Sequence, residues 1–347
     1  MRIAFLVNDV ATEFPTSAST LLAHTAARRG HDVFMLGVGA LTYDEEGHVG
    51  GTAVRASSGS RTRDTFLKAV QAKDAPREAI RSDDLDVLWL RYNPSEEVGE
   101  RAWAQDAGIL LGQLAMRKGV LVLNHPETLA WALSKFYSEH FPAEARPRTL
   151  ITRDLKRIQA FHKEVGGSLI LKPLSGYGGA EVYLVKKDAV NLTQMVESMS
   201  RDGYVVCQEY LPEAPKGDTR LFLINGEPLW VEGKCCAVRR VNRGDDFRGN
   251  FSAGASAKAP QVTDQMLELA RMLGPRLRAD GIFFAGVDVV GEKIVEVNAI
   301  SSGGLVAASK VQGVDFGPAV IEAVERKVEY RRHYGTALDN RTLATMP

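Results

Sequence analysis

The chain has 347 residues, 45% hydrophobic and 25% charged, the profile of a globular protein long enough for two or three domains with a substantial core. Its 43 Lys and Arg balance 43 Asp and Glu, which excludes a strong overall field toward nucleic acid or an anionic membrane. Three cysteines, two of them adjacent (Cys235, Cys236), make neither a disulfide framework nor a spaced zinc set. The cysteine usage points to a reducing cytoplasm, and no apolar run approaches the roughly 18 residues of a membrane span.

Residues 3–7 read as a buried strand, 19–29 as a helix closed by Gly30, and 33–38 as a second strand, a βαβ-like opening. The turn after the first strand lacks the G-x-G-x-x-G phosphate fingerprint, so a dinucleotide fold is excluded. A polar loop there can instead receive a substrate at the carboxyl ends of the strands. Residues 43–84 are polar and weakly periodic, read as a hairpin followed by a surface helix. Residues 85–90 form a buried strand that runs directly into Arg91-Tyr-Asn-Pro. An arginine at that position suits a substrate carboxylate; the alternative is a surface ion pair. A helix over 107–118, ended by Gly119, and a strand over 120–123 complete a first domain, residues 1–124.

A helix over 129–140 carries Lys135, and a strand over 149–152 leads to a helix over 155–165. The strand at 169–174 holds Lys172 and meets the glycine-rich Ser175-Gly-Tyr-Gly-Gly-Ala before another strand at 181–185. Glycines let backbone N–H groups turn inward as an anion nest, with lysine as fixed charge. A plain turn explains the glycines equally. The strand from 205 ends at a proline break, where main-chain groups can meet an adenine edge. Arg220 opens a strand over 221–224, Asn225-Gly226 is a hairpin dipeptide, and 228–232 is its return. The tract 239–254 carries Arg239, Arg240, Arg243 and Arg248 among small residues. It reads as a charged loop, either simply solvated or a lid that brings cations to a polyphosphate and excludes water.

After a helix over 263–280 comes Gly286-Val-Asp-Val-Val-Gly-Glu-Lys-Ile-Val-Glu-Val-Asn298. This is two β-branched strands around a loop of Gly291, Glu292 and Lys293. Side chains alternate faces, so Val287, Val289, Val295 and Val297 share a core face while Asp288, Glu296 and Asn298 share the other. The alignment requires the three-residue loop, because a two-residue loop pairs 288 with 295. Carboxylate and amide oxygens on one rigid face suit Mg²⁺, although a solvated strand face has the same composition. Ser301-Ser-Gly-Gly304 before a helix at 306–310 reads as a carboxylate or phosphate seat. A last helix over 318–328 precedes a basic, then polar tail expected to be flexible.

Taken together, Leu90-Arg-Tyr-Asn-Pro, Asn124-His-Pro-Glu-Thr-Leu, the Lys135 helix, Leu171-Lys-Pro-Leu-Ser-Gly-Tyr-Gly-Gly and Gln208-Glu-Tyr-Leu-Pro resemble the ATP-grasp ligases. Within them the resemblance is to the bacterial glutathione synthetases. Lys216-Gly-Asp-Thr-Arg220, Arg248-Gly-Asn, Gly286-Val-Asp288 and Glu296-Val-Asn298 continue it in order and spacing over about residues 85–300. The resemblance implies an α/β chain with an N-terminal βαβ domain (1–124), a small ATP-grasp lobe with the glycine-rich flap (125–204), and a C-terminal lobe (205–347). The last would hold a lid at 237–254 and a metal hairpin at 286–298. It implies that Lys135, Lys172, Gly176, Tyr177, Gly178 and Gly179 contact ATP phosphates or close over them. The segment Gln208, Glu209, Tyr210 and Leu211 would meet the adenine. Asp288, Glu296 and Asn298 would hold Mg²⁺ (or Mn²⁺), and Arg220, Arg240 and Arg248 would stabilise the transferring phosphoryl group. Arg91, Ser301, Ser302, Gly303 and Gly304 would bind substrates. The implied reaction joins a small carboxylic acid to an amine through an acyl phosphate, with γ-glutamylcysteine and glycine as the leading pair, in a cytoplasmic homo-oligomer. The loop 299–305 and the Tyr-Asn-Pro-Ser after Arg91 depart from the synthetase pattern at the substrate end. A ligase of another dipeptide, or an ATP-binding regulator without chemistry, are the alternatives.

Overall fold

The computed structural model describes residues 1–174, 181–241 and 255–347, with Asp202 described by its backbone alone. Gly176, Tyr177, Gly178, Gly179 and Arg248 lie outside the described residues. The first sheet comprises β1 (Arg2–Val7), β2 (Asp32–Gly37), β3 (Leu41–Tyr43), β4 (Val49–Arg55), β5 (Arg77–Arg81), β6 (Val87–Leu90) and β7 (Leu121–Leu123). Its order is β3-β4-β2-β1-β6-β7, with β5 on β4. Strands β2, β1, β6 and β7 run parallel, so the chain leaves β1 and β6 at one end of the sheet, at Asn8 and Arg91. Helices α1 (Ala18–Arg28), α2 (Arg63–Val70) and α3 (Ala107–Arg117) lie along this part of the chain. Every residue of α1 from Ala18 to Ala27 is buried, which is why Ala, Ser and Thr crowd a helix packed on both sides. Strand β5 is an addition to the expected hairpin and helix between 43 and 84: among its five residues only Ile80 is buried, too little apolar periodicity to register.

The expected helix over 129–140 is broken. Helix α4 (Pro126–Ala132) ends, and the Ser134 side chain accepts the Phe136 N–H to start a separate 3₁₀ turn, Lys135–His140. A four-stranded antiparallel sheet follows, β8 (Thr149–Thr152), β9 (Leu169–Pro173), β10 (Tyr183–Val185) and β11 (Val205–Glu209), in the order β10-β9-β11-β8. Helices α5 (Leu155–Val165) and α6 (Leu192–Asp202) belong to it, around Ile158, Leu169, Leu171, Val196 and Val205. Helix α6 keeps helical spacing in Leu192, Met195, Val196 and Met199. Its start is hidden because Asn191 sits at φ 62° with no side-chain cap.

The third sheet contains β12 (Asp218–Ile224), β13 (Glu227–Pro228), β16 (Ala237–Val241), β17 (Ser256–Lys258), β18 (Phe284–Val290) and β19 (Lys293–Asn298), with β14 (Trp230–Val231) and β15 (Lys234–Cys235) as a separate ribbon. Its order is β17-β16-β12-β18-β19, with β13 on β12. The single strand expected at 228–232 is therefore divided. Asn225 and Gly226 both adopt positive φ, the geometry of a two-residue hairpin turn. The tract expected to be a loop from 237 begins as β16, whose alternate residues Val238 and Arg240 are buried. Both adjacent thiols, Cys235 and Cys236, are buried and unpaired, and burial raises Cys235 to about 12, an inert structural state.

Helices α7 (Asp264–Ala279), α8 (Leu305–Gln312), α9 (Gly317–Tyr334) and α10 (Asn340–Thr345) complete the chain. The tail is not loose. Asn340 Oδ1 accepts the Val122 N–H at 2.8 Å while its Nδ2 donates to the Val122 carbonyl at 2.9 Å, extending the β7 edge. Leu343 and Ala344 are fully buried, and Lys327 donates to Asn225 Oδ1 and to the Met346 carbonyl. No helix among the described residues is long and apolar enough to cross a membrane.

The first and third sheets share cores: Trp89 of β6 packs against Phe5 and against Phe283 and Phe284 at the head of β18. Asn124 fixes the same junction. Its Oδ1 accepts the N–H groups of Phe283 (2.9 Å) and Phe284 (3.0 Å), and its Nδ2 donates to the carbonyls of Phe284 (2.9 Å) and Ala299. One buried amide thus holds both the entrance and the exit of the 286–298 hairpin. Replacing Asn124 with Ala strands these main-chain groups, and we expect a loss of about 2–4 kcal/mol, read as a lower urea unfolding midpoint. An unchanged midpoint would show that water replaces the amide without cost.

Candidate active site

The hairpin reaches the expected alignment by an unexpected route. Val290 pairs with Lys293 across a two-residue turn, and Val289 pairs with Ile294. The register then shifts, so that Asp288 pairs with Glu296 and Gly286 with Asn298. The extra residue is Val295, a β-bulge. A two-residue turn therefore coexists with the 288–296 pairing, which corrects the expected three-residue loop. The bulge also exchanges two apolar side chains: Ile294 joins Val287, Val289 and Val297 in the core, while Val295 leaves it and lines a gap beside Lys135 and Lys172. Ile and Val are too alike for the sequence to reveal the slip.

Asp288 is 1% exposed and held by two arginines. Arg220, its direct partner across β12 and β18, donates from Nε to Oδ1 (2.6 Å) and from Nη2 to Oδ2 (2.7 Å). Arg240 donates from Nη2 to Asp288 Oδ2 (2.7 Å), and from Nε and Nη2 to Asp218 (2.6 and 2.9 Å). Burial opposes ionisation of Asp288, but the charges and hydrogen bonds of Arg220 and Arg240 outweigh it and hold the carboxyl below its ordinary range. Burial raises Asp218 to about 6 against the pull of Arg240, with the Asp288 charge adding to the rise. Asn298 Nδ2 lies 3.4 Å from Asp288 Oδ2. Arg220 Nη1 also donates to the Gly303 carbonyl at 3.0 Å. Each arginine engages three of its five N–H donors in these bonds.

On the other side of Glu296, Lys172 donates to Gln208 Oε1 (3.1 Å), and Gln208 Nε2 donates to Thr149 Oγ1 (3.2 Å). Burial lowers Lys172 to about 8, against the pull of Glu296 and with the repulsion of Lys135. Lys135 is lowered by the same burial, again opposed by Glu296. The gap these residues line has a volume of about 30 Å³, room for about one water. The N–H groups of Glu209 and Tyr210 donate to the Arg148 and Ser168 carbonyls, so Leu211 carries the main-chain donor of that segment left without a partner among the described residues.

A cavity of about 900 Å³ adjoins this gap, the two sharing Ala132, Leu133, Glu296 and Val297. Arg91, Ser301, Ser302, Gly303, Gly304, Arg220 and Arg240 line it. Arg91 is buried, and three of its donors brace the loop rather than face open space: Nη1 to the Ile300 carbonyl (3.1 Å), Nη2 to the Ser302 carbonyl (3.1 Å) and Nε to Ser19 Oγ (3.5 Å). Any substrate role for Arg91 is thereby narrowed to its remaining N–H groups. Ser301 Oγ donates to the Arg91 carbonyl at 2.9 Å. Gly304, at φ 97°, caps α8 without a side-chain bond, leaving the first-turn amides to the cavity. Gly286 has no room for a side chain: an added Cβ would lie 2.0 Å from Ser302 Oγ. The cavity also takes in Asn8 and Glu13 of the polar loop after β1, Asn93 of the Arg-Tyr-Asn-Pro turn, and Glu96 and Lys310, none of them named individually as a site residue from the sequence. The general rule that ligands sit beyond the carboxyl ends of parallel strands points to the loops that carry the first four.

Two family models match the chain, the prokaryotic glutathione synthetase N-terminal domain over residues 1–130 and its ATP-grasp domain over residues 134–313. A glutathione synthetase of Synechococcus elongatus is 32% identical, with 94% of this chain and 99% of the relative covered. One of Shewanella oneidensis is 30% identical, with 93% and 96% covered. Among solved structures, D-cycloserine synthetase DcsG superposes with a TM-score of 0.62 at 12% identity, covering 94% of this chain and all of that one. The ATP-grasp ligase PsnB with a minimal precursor gives 0.59 at 18%, covering 93% and 98%.

Because Asp288 balances two buried guanidiniums, Asp288→Asn is expected to cost about 3–5 kcal/mol of stability. Chemical denaturation checks this; a variant as stable as the parent would mean that the arginines find other partners.

Proposed function

The chain belongs to the prokaryotic glutathione synthetase family and is an ATP-dependent carbon–nitrogen ligase, and we propose that it joins γ-glutamylcysteine to glycine with release of ADP and phosphate. The observation that carries this is the junction at Glu296. On one side of it lies the lysine-lined gap, on the other the larger cavity bounded by Arg220, Arg240 and the 301–304 loop.

We assign the gap to the nucleotide, with Lys135 and Lys172 toward its phosphates, Gln208 holding Lys172, and the segment up to Leu211 toward the adenine. Gly176, Tyr177, Gly178 and Gly179 are assigned to a flap over the phosphates. A gap of one water's size has to widen before ATP can enter. The donor carboxylate lies in the larger cavity near Arg220 and Arg240, and Arg248 is assigned with them. Its oxygen attacks the γ-phosphorus, ADP leaves, and the amine nitrogen then displaces phosphate from the acyl carbon. Negative charge gathers on the transferring group, so the chain's contribution is positioning and fixed positive charge. The N–H donors that Arg220 and Arg240 do not give to Asp218, Asp288 and Gly303 are those available to it. The open α8 terminus, with Ser301 to Gly304, receives the acceptor carboxylate.

The donor set fits Mg²⁺: Asp288, Glu296 and Asn298 offer hard oxygens, and the Glu296 carboxylate has no hydrogen bond among the described residues. Asp288 is shared with both arginines, so Glu296 and Asn298 would supply the more open ligands. The cation would neutralise phosphate charge when bound.

With Mg²⁺-ATP, γ-glutamylcysteine and glycine each omitted in turn, ADP release is expected only when all three are present, with the tripeptide found by mass spectrometry. Release with a different acid or amine would move the specificity and keep the ligase; failure to bind Mg²⁺-ATP would overturn the assignment of the gap. Lys172 gives an independent check. Its folded value near 8 lies below its ordinary 10.5, so between these pH values it is mostly neutral until phosphate beside it restores the ammonium. ATP binding at pH 9 should therefore take up a proton, seen by calorimetry in buffers of different ionisation enthalpy, and Lys172→Met should abolish the uptake.

A further inference from the structure

Glu13 sits in the loop after β1, on the wall of the large cavity. That loop is built rather than slack. Asp9 Oδ1 accepts the Ala11 N–H at 2.9 Å. From the end of α2, Gln71 Nε2 donates to the carbonyls of Val10 (2.9 Å), Ala11 (3.1 Å) and Glu13 itself (2.9 Å). Two hydroxyls then pin one carboxylate oxygen: Ser17 Oγ donates to Oε2 at 2.7 Å and Thr20 Oγ1 at 3.1 Å. Ser17 Oγ also accepts the N–H groups of Ser19 and Thr20 at the start of α1, which fixes its proton toward Glu13. The other oxygen, Oε1, has no partner among the described residues.

The Arg91 guanidinium does not satisfy it. Arg91 acts on Glu13 through space, yet forms no ion pair with it, because its guanidinium is turned to the Ile300 and Ser302 carbonyls and to Ser19. Burial accordingly holds the Glu13 carboxyl above its ordinary value despite the two hydroxyls, as expected of a half-buried acid without an ion-pair partner. Glu96, Asn8 and Asn93 line the same cavity beside Glu13 and Arg91, whereas Arg220, Arg240, Lys310 and Glu296 line its C-terminal wall, the two arginines there already paired with Asp288 and Asp218. A ligand that sets its reacting carboxylate near the spare N–H donors of Arg220 and Arg240 can offer a positive group to the open Glu13 oxygen.

We propose that Glu13 is a specificity-determining residue that receives a primary ammonium of the donor acid on Oε1, and that the donor class is therefore amino acids or peptides bearing a free ammonium remote from the carboxylate to be activated. This rests on the ligase reading and deepens it: in γ-glutamylcysteine the group is the ammonium of the glutamyl end. A substrate ammonium supplies the missing charge, and the pinned carboxylate needs no rearrangement to accept it.

The test crosses a substrate change with a protein change. The wild type and Glu13→Gln, which keeps the size and acceptor of the side chain, are assayed with γ-glutamylcysteine and with glutarylcysteine, the same donor without the ammonium. In the wild type the des-amino donor should lose about 10- to 100-fold in kcat/KM, the range of a charge-assisted hydrogen bond. Glu13→Gln should lose as much with γ-glutamylcysteine but little with glutarylcysteine, so the ratio between donors falls toward one, while KM for ATP stays put. A merely structural Glu13 would weaken both donors alike and preserve the ratio, which overturns the proposal. If γ-glutamylcysteine releases no ADP from the wild type, the choice of that donor falls. Calorimetric affinities of the two donors for both proteins then decide Glu13 separately: equal affinities in the wild type reject its role, and a preference lost in Glu13→Gln upholds it.

Discussion

A buried carboxylate between two buried guanidiniums organises the centre of this molecule. Asp288 lies on β18, Arg220 and Asp218 on β12 and Arg240 on β16, and the strand order β16-β12-β18 sets them in two neighbouring rows, Arg220 opposite Asp288 and Arg240 opposite Asp218. None of these charges is tolerable alone in such a place, since an uncompensated ion there faces desolvation of several kcal/mol. Together they form a neutral, hydrogen-bonded set. Arg220 carries the link onward to the Gly303 carbonyl, which ties the loop ahead of α8 to the sheet.

Other contacts converge on the same loop from the N-terminal side. Arg91 holds the carbonyls of Ile300 and Ser302, Ser301 returns a hydrogen bond to Arg91, and Asn124 grips the strand just before it. The segment 299–304 is thus fixed by residues from strands far apart in sequence, and the large cavity exists because this loop is kept from collapsing into it. Polar side chains that look like ligands in the sequence act here partly as scaffolding. The same guanidinium that shapes the cavity keeps N–H groups in reserve for a substrate, so placement and chemistry share residues.

Charge is distributed by sheet rather than by motif. Lysines face Glu296 from the small antiparallel sheet and the 3₁₀ turn before it, arginines meet Asp288 within the third sheet, and the first sheet contributes acids, amides and Arg91 through the loops after β1 and β6. The sequence totals balance, and most charges at the site are balanced within their own sets. An extended zwitterionic ligand therefore meets the groups left open, Glu13 Oε1 and the spare arginine N–H donors, without any single residue needing to recognise all of it.

The sequence alone determined most elements and the chemistry of the centre. The βαβ opening follows from apolar periodicity and the Asn225-Gly226 turn from its dipeptide. Strand alternation put Glu296 and Asn298 on one face and Asp288 on a matching one, and the motif order carried the family. What it could not determine were matters of long-range pairing. The bulge at Val295 exchanges one β-branched residue for another, leaving no trace in the pattern. The engagement of Arg240 with Asp218 and Asp288 depends on which strands lie side by side, and turns a reading of loop arginine into one of buried strand arginine. The docking of α10 on β7 depends on Asn340 finding the backbone of Val122, a contact more than 200 residues apart. Glu13 looked like any acid in a polar loop until folding half-buried it, pinned one oxygen and left the other open. Local propensity and alternation are written in neighbouring residues; burial and partnership are set only when distant strands meet, and there the tertiary structure decided.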